Sequence, residues 1–419
     1  MFKFIHAADI HLDSQLKGLE RYIGAPVQEI REAARRALSN LVDLAIKEQV
    51  AFVLIAGDLY DGDWPDMQTG FFFVSQASRL REANIPLFLI SGNHDAENRI
   101  TRSLRLLKNV TVFSADVPET KMLPEISVAI HGQSFATAAV YKDLSEGYPT
   151  AKSGYLNIGM LHTCATGREG HDRYAPCTIE GLKLKGYDYW ALGHIHTRET
   201  LCEAPFIAFS GNIQGRHVRE TGPKGCLLVT VNDDRSFAVE FQAVDVLRWE
   251  TPEIDVSTAE CMDDVFDLVG AEIQALRAQA AGQPLALRLN LVGECGVHHV
   301  LLAERTQLVD EIRSAAIDIG RADVWIEKLK IRTTAPHHRP VAEHIPDDAM
   351  AELVDIFQQL KAESAKVTEV TFEFADVLKK LPAELIHLAS HADPIWLEGV
   401  ICEAESRLLN SLTCSEVEE

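Results

Sequence analysis

Five short apolar segments in the first 200 residues each end in a polar turn, and this pattern limits the fold more than any other feature of the chain. Short β-rich runs bounded by turn residues are typical of buried strands. Between the first two runs, apolar residues recur every three or four positions over residues 27–49, which predicts an amphipathic helix. A strand, a helix and a second strand form a βαβ unit, so the sheet is expected to be at least partly parallel. The five runs are Phe4–Ala8, Ala51–Ala56, Pro86–Ile90, Ile158–Leu161 and Tyr189–Leu192.

The remaining pattern divides the chain into three predicted domains. Later β-like runs up to residue 245 have no long helices between them, so we expect a second sheet and a layered α/β/β/α sandwich over 1–245. Residues 246–335 alternate between helix-like and strand-like runs and predict a small α/β domain. A proline- and histidine-rich linker then leads into an acidic helical C-terminal region, 336–419.

Composition excludes several classes of protein. With 47% apolar and 24% charged residues, the 419-residue chain is neither disordered nor fibrous. We find no apolar run of about 18 residues, as a membrane helix needs, and we expect no signal peptide. Eight cysteines without a CxxC pair are typical of reduced thiols, so we expect a cytoplasmic protein without membrane association.

The formal net charge of −22 argues against a nucleic-acid partner, because a polyanion is repelled by it. The imbalance is uneven, however, since residues 336–419 carry a net charge of −11 in one fifth of the chain. Bound divalent metals would neutralise part of the rest. The acidity therefore weakens a nucleic-acid interpretation without excluding it.

The polar turns that follow the five runs supply a set of metal donors. Side chains just past strand ends can gather around one centre, because ligands bind beyond the carboxyl ends of strands. A mixed nitrogen and oxygen set without thiolates favours Mn, Fe, Zn or Ni over Ca or a structural zinc. Seven donors exceed the needs of one tetrahedral ion, so two metals sharing Asp58 is the economical interpretation. Each turn alone is a weak signal; all five in this order are a strong one. The donors are Asp9, His11, Asp58, Asn93, His162, His194 and His196, with His94 beside them.

This order of motifs resembles the calcineurin-like metallophosphoesterase superfamily, whose signature is DxH…GDxxD…GNH[DE]…H…GHxH. The segments FIHAADIHLD (4–13), VLIAGDLYD (53–61) and IPLFLISGNHD (85–95) resemble its SbcD-like nuclease branch. The segments HGQSF (131–135) and SGNIQGRHVRETGPKGC (210–226) look most like YhaO-type DNA-repair exonucleases. The resemblance is strong over 1–245, moderate over 246–335 and weak beyond.

The resemblance implies a role for each motif residue. One metal would bind Asp9, His11, Asp58 and His196, and the second Asp58, Asn93, His162 and His194. The two ions would activate a bridging hydroxide for in-line attack, and His94 would assist the leaving oxygen as the catalytic residue. Asp61 and Asp95 are expected to orient the ligand histidines. Some archaeal relatives carry histidine where Asp61 stands, so their handling of DNA ends is not carried over.

Two further segments have both a functional and an ordinary interpretation. The glycine-rich loop 211–225 carries Arg216, His217 and Arg219, which suit a phosphodiester backbone; they could equally be solvated charges on a hairpin. The helix containing Phe71, Phe72 and Phe73 could form a homodimer face, as in the nuclease branch, or ordinary core.

The leading hypothesis is a Mn-dependent DNA nuclease acting in DNA repair. The resemblance implies a 3′→5′ exonuclease with some endonuclease activity, in which 246–335 caps the site and faces the DNA. An SMC-like coiled-coil ATPase would bind the C-terminal region through a helix-in-groove contact and supply a basic surface; otherwise that region is a solvated appendage. The alternative is a stand-alone phosphodiesterase or phosphatase for small substrates. A scaffold with a vestigial site is disfavoured because every donor position is filled.

Overall fold

The computed structural model describes residues 1–14, 27–61, 67–97, 106–165, 174–320 and 323–336, together with positions 353, 355–359, 404 and 408. Nearly all of the predicted C-terminal helical region, 336–419, therefore lies outside the described residues. Among the helices that are described, none is both long and apolar enough to cross a membrane.

The first sheet has six strands and is mostly parallel. Its central and outer strands β1 to β4 run parallel to one another in chain order, as the βαβ pattern predicts. Two later strands, β11 and β12, extend the sheet beyond β1 in antiparallel pairing. The strands are β1 (Phe2–Ala7), β2 (Phe52–Ala56), β3 (Leu87–Ile90), β4 (Val110–Val112), β11 (Gly225–Val231) and β12 (Phe237–Ala243).

The second sheet also has six strands, in the order β5-β6-β7-β8-β10-β9. Its four inner strands are parallel, and both edge strands are antiparallel to their neighbours. The strands are β5 (Glu119–Leu123), β6 (Val128–Gly132), β7 (Leu156–His162), β8 (Tyr189–Gly193), β9 (Glu199–Glu203) and β10 (Phe206–Phe209).

Helices cover the outer face of the first sheet. They are α1 (Val27–Lys47) and α2 (Gln68–Glu82), and the short helix α3 (Asn93–Glu97) follows β3. In α2, Phe73 is buried in the core, Phe72 packs against it, and Phe71 is exposed. The core interpretation thus holds for Phe73, while a dimer face at Phe71 stays a prediction.

The two sheets pack face to face, and alternation along β1 shows how. Successive side chains of a strand point to opposite faces. Phe4 lies between the sheets, where its ring stacks on Phe52 at 5.0 Å between centroids, while Ile5 packs beneath the helices. His6 faces the second sheet, with Nδ1 3.0 Å from the Tyr189 hydroxyl oxygen and Nε2 3.2 Å from the Leu192 carbonyl oxygen.

The outer face of the second sheet has a thinner cover. A short helix, α4 (Ile179–Leu184), packs there together with loop residues such as Phe135 and Tyr148 around Trp190. The order of layers is therefore helix, sheet, sheet and a mixed layer of helix and loop. The predicted layered α/β sandwich is confirmed.

A four-stranded sheet follows, in which three strands pair with β15. Its elements are β13 (Arg248–Glu250), β14 (Glu253–Asp255), α5 (Met262–Gln279), β15 (Leu285–Glu294), α6 (His298–Ala303), α7 (Arg305–Gly320) and β16 (Val324–Thr334). By compactness the chain divides into two units, and the boundary does not follow the three predicted domains, which stay a prediction. One unit is Met1–Pro252, Gly270–Leu289 and Arg313–Leu329; the other is Glu253–Val269, Asn290–Ile312 and Lys330–Glu419.

Within the first unit, the loop 211–225 is fastened to the segment that leads into β13. The Gln214 amide donates to the Leu247 carbonyl (2.6 Å) and accepts from the Val246 N–H (2.9 Å). The Trp249 indole N–H donates to the Gly215 carbonyl at 3.1 Å. These contacts hold the loop through its own side chains and the neighbouring strand β13, while its role in binding a phosphodiester stays a prediction.

Candidate metal centre

The polar turns after β1, β2, β3, β7 and β8 meet at one edge of the two sheets. Backbone hydrogen bonds join the first two turns, from Asp9 N to the Gly57 carbonyl and from His11 N to the Asp58 carbonyl, both at 3.0 Å. The backbone itself is strained at these positions, since φ is positive at Asp9, His11, Asp58 and His194. Left-handed backbone costs a non-glycine residue about 1–2 kcal/mol. These backbone conformations therefore lower the stability of the fold, and they place the four side chains at the site.

Small residues make room for the donors. A Cβ atom on Gly92 would lie 2.2 Å from Asp58 Oδ1 and 2.8 Å from His162 Nε2. Real side-chain contacts are never this short, so the turn after β3 needs glycine in order to let its backbone approach the other turns.

One group of donors is formed by Asp9, His11 and His196, whose ligand atoms all lie within 4.8 Å of one another. His11 Nε2 and His196 Nε2 are 3.2 Å apart. His196 Nδ1 lies 2.7 Å from the Glu220 carboxylate, which can only accept a hydrogen bond. His196 Nδ1 therefore carries the hydrogen, and the lone pair of His196 Nε2 is directed at the ring of His11.

A cation between the two rings resolves this contact. Without one, His11 would have to donate from Nε2, which would leave the lone pair of its buried Nδ1 opposite Asp61 Oδ1 at 3.5 Å. That Nδ1 has no hydrogen-bond partner although it is buried. With a cation bound, both Nε2 atoms would serve as ligands and the His11 Nδ1–H would face the Asp61 carboxylate. The donors thus fit a divalent metal ion better than they fit one another.

A second group is formed by Asp58, His162 and His194, again with ligand atoms within 4.8 Å. His162 Nδ1 lies 3.0 Å from the Ala56 carbonyl oxygen and donates to it, which leaves the Nε2 lone pair for the site. That Nε2 lies 3.0 Å from Asn93 Oδ1 and 3.4 Å from Asp58 Oδ2. Three acceptors at such distances again fit a cation.

Asp58 connects the two groups. Its Oδ2 lies 3.8 Å from His11 Nε2 in addition to its contact with His162, and it also forms a donor group with His11 and His94. Its Oδ1 accepts the His94 backbone N–H at 3.0 Å. The structure thus brings together all seven donors predicted from the sequence, with Asp58 in the shared position, and the set fits two divalent ions.

The charges of the buried groups agree with a cation site. Burial raises the pKa of Asp58, but His162 and His11 outweigh burial and hold that pKa well below its usual range. Burial lowers the pKa of His162, but Asp58 and Asp9 raise it to about 9. The buried carboxylates therefore attract positive charge strongly enough to hold a proton on His162. A divalent ion supplies the same charge and displaces that proton.

His94 lies beside these groups, and 39% of its side chain is exposed. Its Nδ1 is 2.9 Å from Asp61 Oδ1, and this hydrogen bond raises the pKa of His94. Asp61 also accepts from the Ser14 hydroxyl and lies 3.5 Å from Arg216 Nη1. Asp61 therefore holds His94, which is not one of the predicted ligands; the distance of 3.5 Å from Asp61 to Nδ1 of the predicted ligand His11 leaves the expected orienting role a prediction.

Asp95 acts on backbone instead of on a histidine. Its carboxylate accepts three N–H groups, from Leu59 (3.1 Å), Tyr60 (2.8 Å) and Gly92 (3.0 Å). This differs from the expectation that Asp95 orients a ligand histidine. It fastens the turn after β2 to the turn after β3 and so sets the distance between Asp58 and Asn93.

The loop 211–225 reaches the site through Arg216 and Glu220. Arg216 Nη2 lies 3.2 Å from Glu220 Oε1, next to the contact of Glu220 with His196. His217 and Arg219 are more exposed, and His217 Nε2 is 3.7 Å from Glu220. Glu220 is not among the site residues predicted from the sequence. It is an acidic residue among the basic residues of a loop, and it does not follow a strand, so the strand-end pattern could not single it out.

The chain is similar to known proteins in sequence, and these similarities give its family. Residues 2–198 match the family profile of calcineurin-like phosphoesterases, and residues 249–334 match the middle domain of the metallophosphoesterase YhaO. The chain is 38% identical over 295 residues to the uncharacterized metallophosphoesterase YhaO of Bacillus subtilis (strain 168), which covers 69% of this chain and 71% of that protein. A crystal structure of a dimetal phosphatase from Danio rerio covers 58% of this chain and 96% of its own, with 12% identity and a TM-score of 0.38.

A layered sandwich with a buried histidine and carboxylate cluster at its strand ends defines a metal-dependent phosphoester hydrolase. The chain belongs to the calcineurin-like phosphoesterase family, with a YhaO-type relative. The family gives the reaction class, and the substrate is a separate question.

Proposed function

We propose that this protein hydrolyses phosphodiester bonds in DNA as a Mn²⁺-dependent nuclease. The observation that carries the proposal is the pair of donor groups joined by Asp58, whose Oδ2 lies 3.8 Å from His11 Nε2 and 3.4 Å from His162 Nε2. His94 lies at their exposed side, and the loop 211–225 lies beside them. The resemblance of the motifs to SbcD-like and YhaO-type nucleases supports the choice of substrate and of 3′→5′ exonuclease action with some endonuclease activity.

The donors named above would hold the two ions, with Asp58 contributing to both. Bound there, divalent ions supply Lewis acidity at the phosphoryl oxygens and a nucleophile at neutral pH. The protein's own contribution is to hold the donor side chains in position. Hydrogen bonds to the Ala56 carbonyl and to Glu220 keep the Nε2 lone pairs of His162 and His196 directed into the site.

His94 would act as the general acid. Its Nδ1 is committed to Asp61, so Nε2 is the nitrogen that can give a proton to the leaving oxygen. The raised pKa keeps the ring protonated at neutral pH more often than an ordinary histidine. Its partial exposure allows a substrate to reach it, which the buried histidines His11, His162 and His194 do not offer.

The loop 211–225 would contact the sugar–phosphate backbone. Arg219 and His217 are exposed and Arg216 is half-buried beside the donors, so these side chains, two of them cationic, extend outward from the site. Contacts of this kind position a nucleic acid without reading its sequence. Because the chain is acidic overall, we propose that an SMC-like coiled-coil ATPase binds the region 336–419 and supplies further basic surface, in a homodimeric assembly in the cytoplasm.

The net charge of −22 favours a second candidate, a stand-alone phosphodiesterase or phosphatase for small substrates. A small-substrate enzyme has little use for an acidic tail of 84 residues. Deleting residues 336–419 distinguishes the candidates: a nuclease tethered to an ATPase loses stimulation of DNA cleavage by that ATPase. Unchanged cleavage in its presence would count against the tether.

The test of the proposed function is cleavage of 3′-labelled and 5′-labelled DNA duplexes with Mn²⁺, with bis-p-nitrophenyl phosphate as a small diester. We expect product ladders whose label pattern gives the polarity and which chelation stops reversibly. His94→Ala should lower turnover by about 10²–10⁴-fold. The variant should keep its metal, since it removes the proposed acid and leaves the seven donors.

His299→Ala, a histidine far along the chain from the motifs, is the matched control and should cleave normally. Turnover of the small diester without DNA cleavage, with or without the ATPase, would replace the nuclease by the second candidate. Loss of metal together with activity in His94→Ala would mean that His94 is a ligand.

A further inference from the structure

Glu220 is a heavily bonded carboxylate next to the proposed metal donors, and the DxH…GDxxD…GNH[DE]…H…GHxH signature does not include it. It is 6% exposed. Oε1 lies 2.7 Å from His196 Nδ1, and Oε2 accepts from the Arg216 backbone N–H (2.8 Å) and the Asn212 amide (2.9 Å). One carboxylate thus joins a metal donor to the loop 211–225.

The contact with His196 decides which ring nitrogen faces the site. Glu220 Oε2 already accepts two N–H groups and Oε1 lies 3.2 Å from the Arg216 guanidinium, so the Glu220 carboxylate accepts the hydrogen of His196 Nδ1. Arg216 Nη2 also approaches His196 Nδ1, at 3.3 Å. The Glu220 oxygen lies 0.6 Å closer to His196 Nδ1 than the Arg216 nitrogen does, so we expect His196 to carry its hydrogen on Nδ1.

Only one of the two donor groups depends on this contact. His196 belongs to the group with Asp9 and His11, whereas His162 of the other group takes its orientation from the Ala56 backbone carbonyl. A backbone carbonyl cannot be removed by a substitution of Glu220. The two metal positions are therefore oriented by independent partners.

We propose that Glu220 is a positioning residue that sets the affinity of the metal position built on Asp9, His11 and His196, and not that of the other position. The inference rests on the two-metal centre of the proposed function and is independent of the DNA substrate. Glu220 also binds Arg216, whose guanidinium lies 3.5 Å from Asp61, the partner of His94. The same carboxylate therefore helps to hold this arginine beside the His94–Asp61 pair.

The test compares metal stoichiometry in Glu220→Gln, Glu220→Asp and the full-length parent chain. Each is equilibrated with limiting Mn²⁺ and assayed by inductively coupled plasma mass spectrometry, and Co²⁺ titrations follow the two positions by absorption. An amide can donate to His196 Nδ1 and so reverse its tautomer. In Glu220→Gln we expect one position to weaken by about 10–100-fold while the other is unchanged. Glu220→Asp keeps the charge and should weaken it less.

Asp245→Asn is the matched control, because Asp245 is also a buried carboxylate paired with an arginine, Arg248, at 3.1 Å, and lies outside the donor groups. It should lose stability without a change in stoichiometry. Equal weakening of both positions, or unchanged binding at both, in the Glu220 variants would overturn the proposal. Glu220→Asp decides the question if Glu220→Gln does not fold. A parent chain that binds two ions but cleaves no DNA would refute the nuclease and leave this inference intact.

Discussion

Asp58 joins the two donor groups, and in the proposed centre it would serve both metal positions. It is nearly fully buried, it lies in donor groups with residues of both positions, and the attraction of His162 and His11 keeps it ionised. Removing one charge at this point leaves two histidine clusters without their common anion. Metal binding would weaken, because a buried ion needs an opposite charge nearby.

Asp58→Asn should therefore deplete both ions and not one. We expect fewer than half of the parent's equivalents after dialysis against metal-free buffer, measured by mass spectrometry, and a loss of phosphodiesterase turnover by at least about 10²-fold. Asp245→Asn is the control, because Asp245 is a buried carboxylate that lies outside the donor groups; it should keep two ions. A full pair of ions in Asp58→Asn would refute the shared position.

At the scale of elements, the turns after strands control the site more than the strands do. The strands bring five turns to one edge, but the turn after β3 must also pass within contact distance of Asp58 and His162. A methyl group on Gly92 would contact Asp58 and His162. Because both side chains are predicted metal donors, neither can move aside without disturbing the proposed metal site.

Gly92→Ala should lower metal affinity by at least about 10-fold, because it displaces two predicted donors. Disturbing the residues that orient metal ligands typically lowers metal affinity by about 10–100-fold. Isothermal titration with Mn²⁺ measures it. Gly147→Ala is the control: its added Cβ would lie 3.4 Å from the Pro118 ring, an ordinary contact, and metal binding should not change. Parent-like affinity in Gly92→Ala would show that the turn can yield, and the argument from close approach would fail.

The strands and the donors could be predicted from the sequence, whereas the partners of the donors could not. Each predicted donor follows directly on an apolar run, so the local pattern alone places Asp9 or His162 at a strand end. Glu220 reaches His196 only because the loop 211–225 is folded by contacts with Gln214, Leu247 and Trp249. Such contacts join residues that are distant in the chain, and no local periodicity reports them.

At the scale of the molecule, His6 joins the two sheets of the sandwich. It lies on β1 of the first sheet and contacts Tyr189 and Leu192 of β8 in the second. Burial lowers the pKa of His6 from 6.5 to about 4, despite the opposing effect of the Leu192 carbonyl. The unfolded chain therefore takes up a proton before the folded protein does, and stability is lost as the pH falls from 6.5 towards 4.

This one group should cost about 2 kcal/mol of unfolding free energy between pH 7 and pH 5. Urea unfolding at the two pH values, with metal-free parent and His6→Gln proteins, measures it. The variant is less stable at pH 7 but cannot be protonated, so its loss between the two pH values should be smaller by that amount. An equal loss in both proteins would mean that His6 is not buried in its neutral form.

One loop holds both Arg216, which faces the proposed substrate side, and Glu220, which holds a metal donor. The two residues also bind each other, so a substitution that adjusts one of them disturbs the other. A change in this loop that alters the proposed substrate contacts is therefore expected to alter the metal position next to His196 as well.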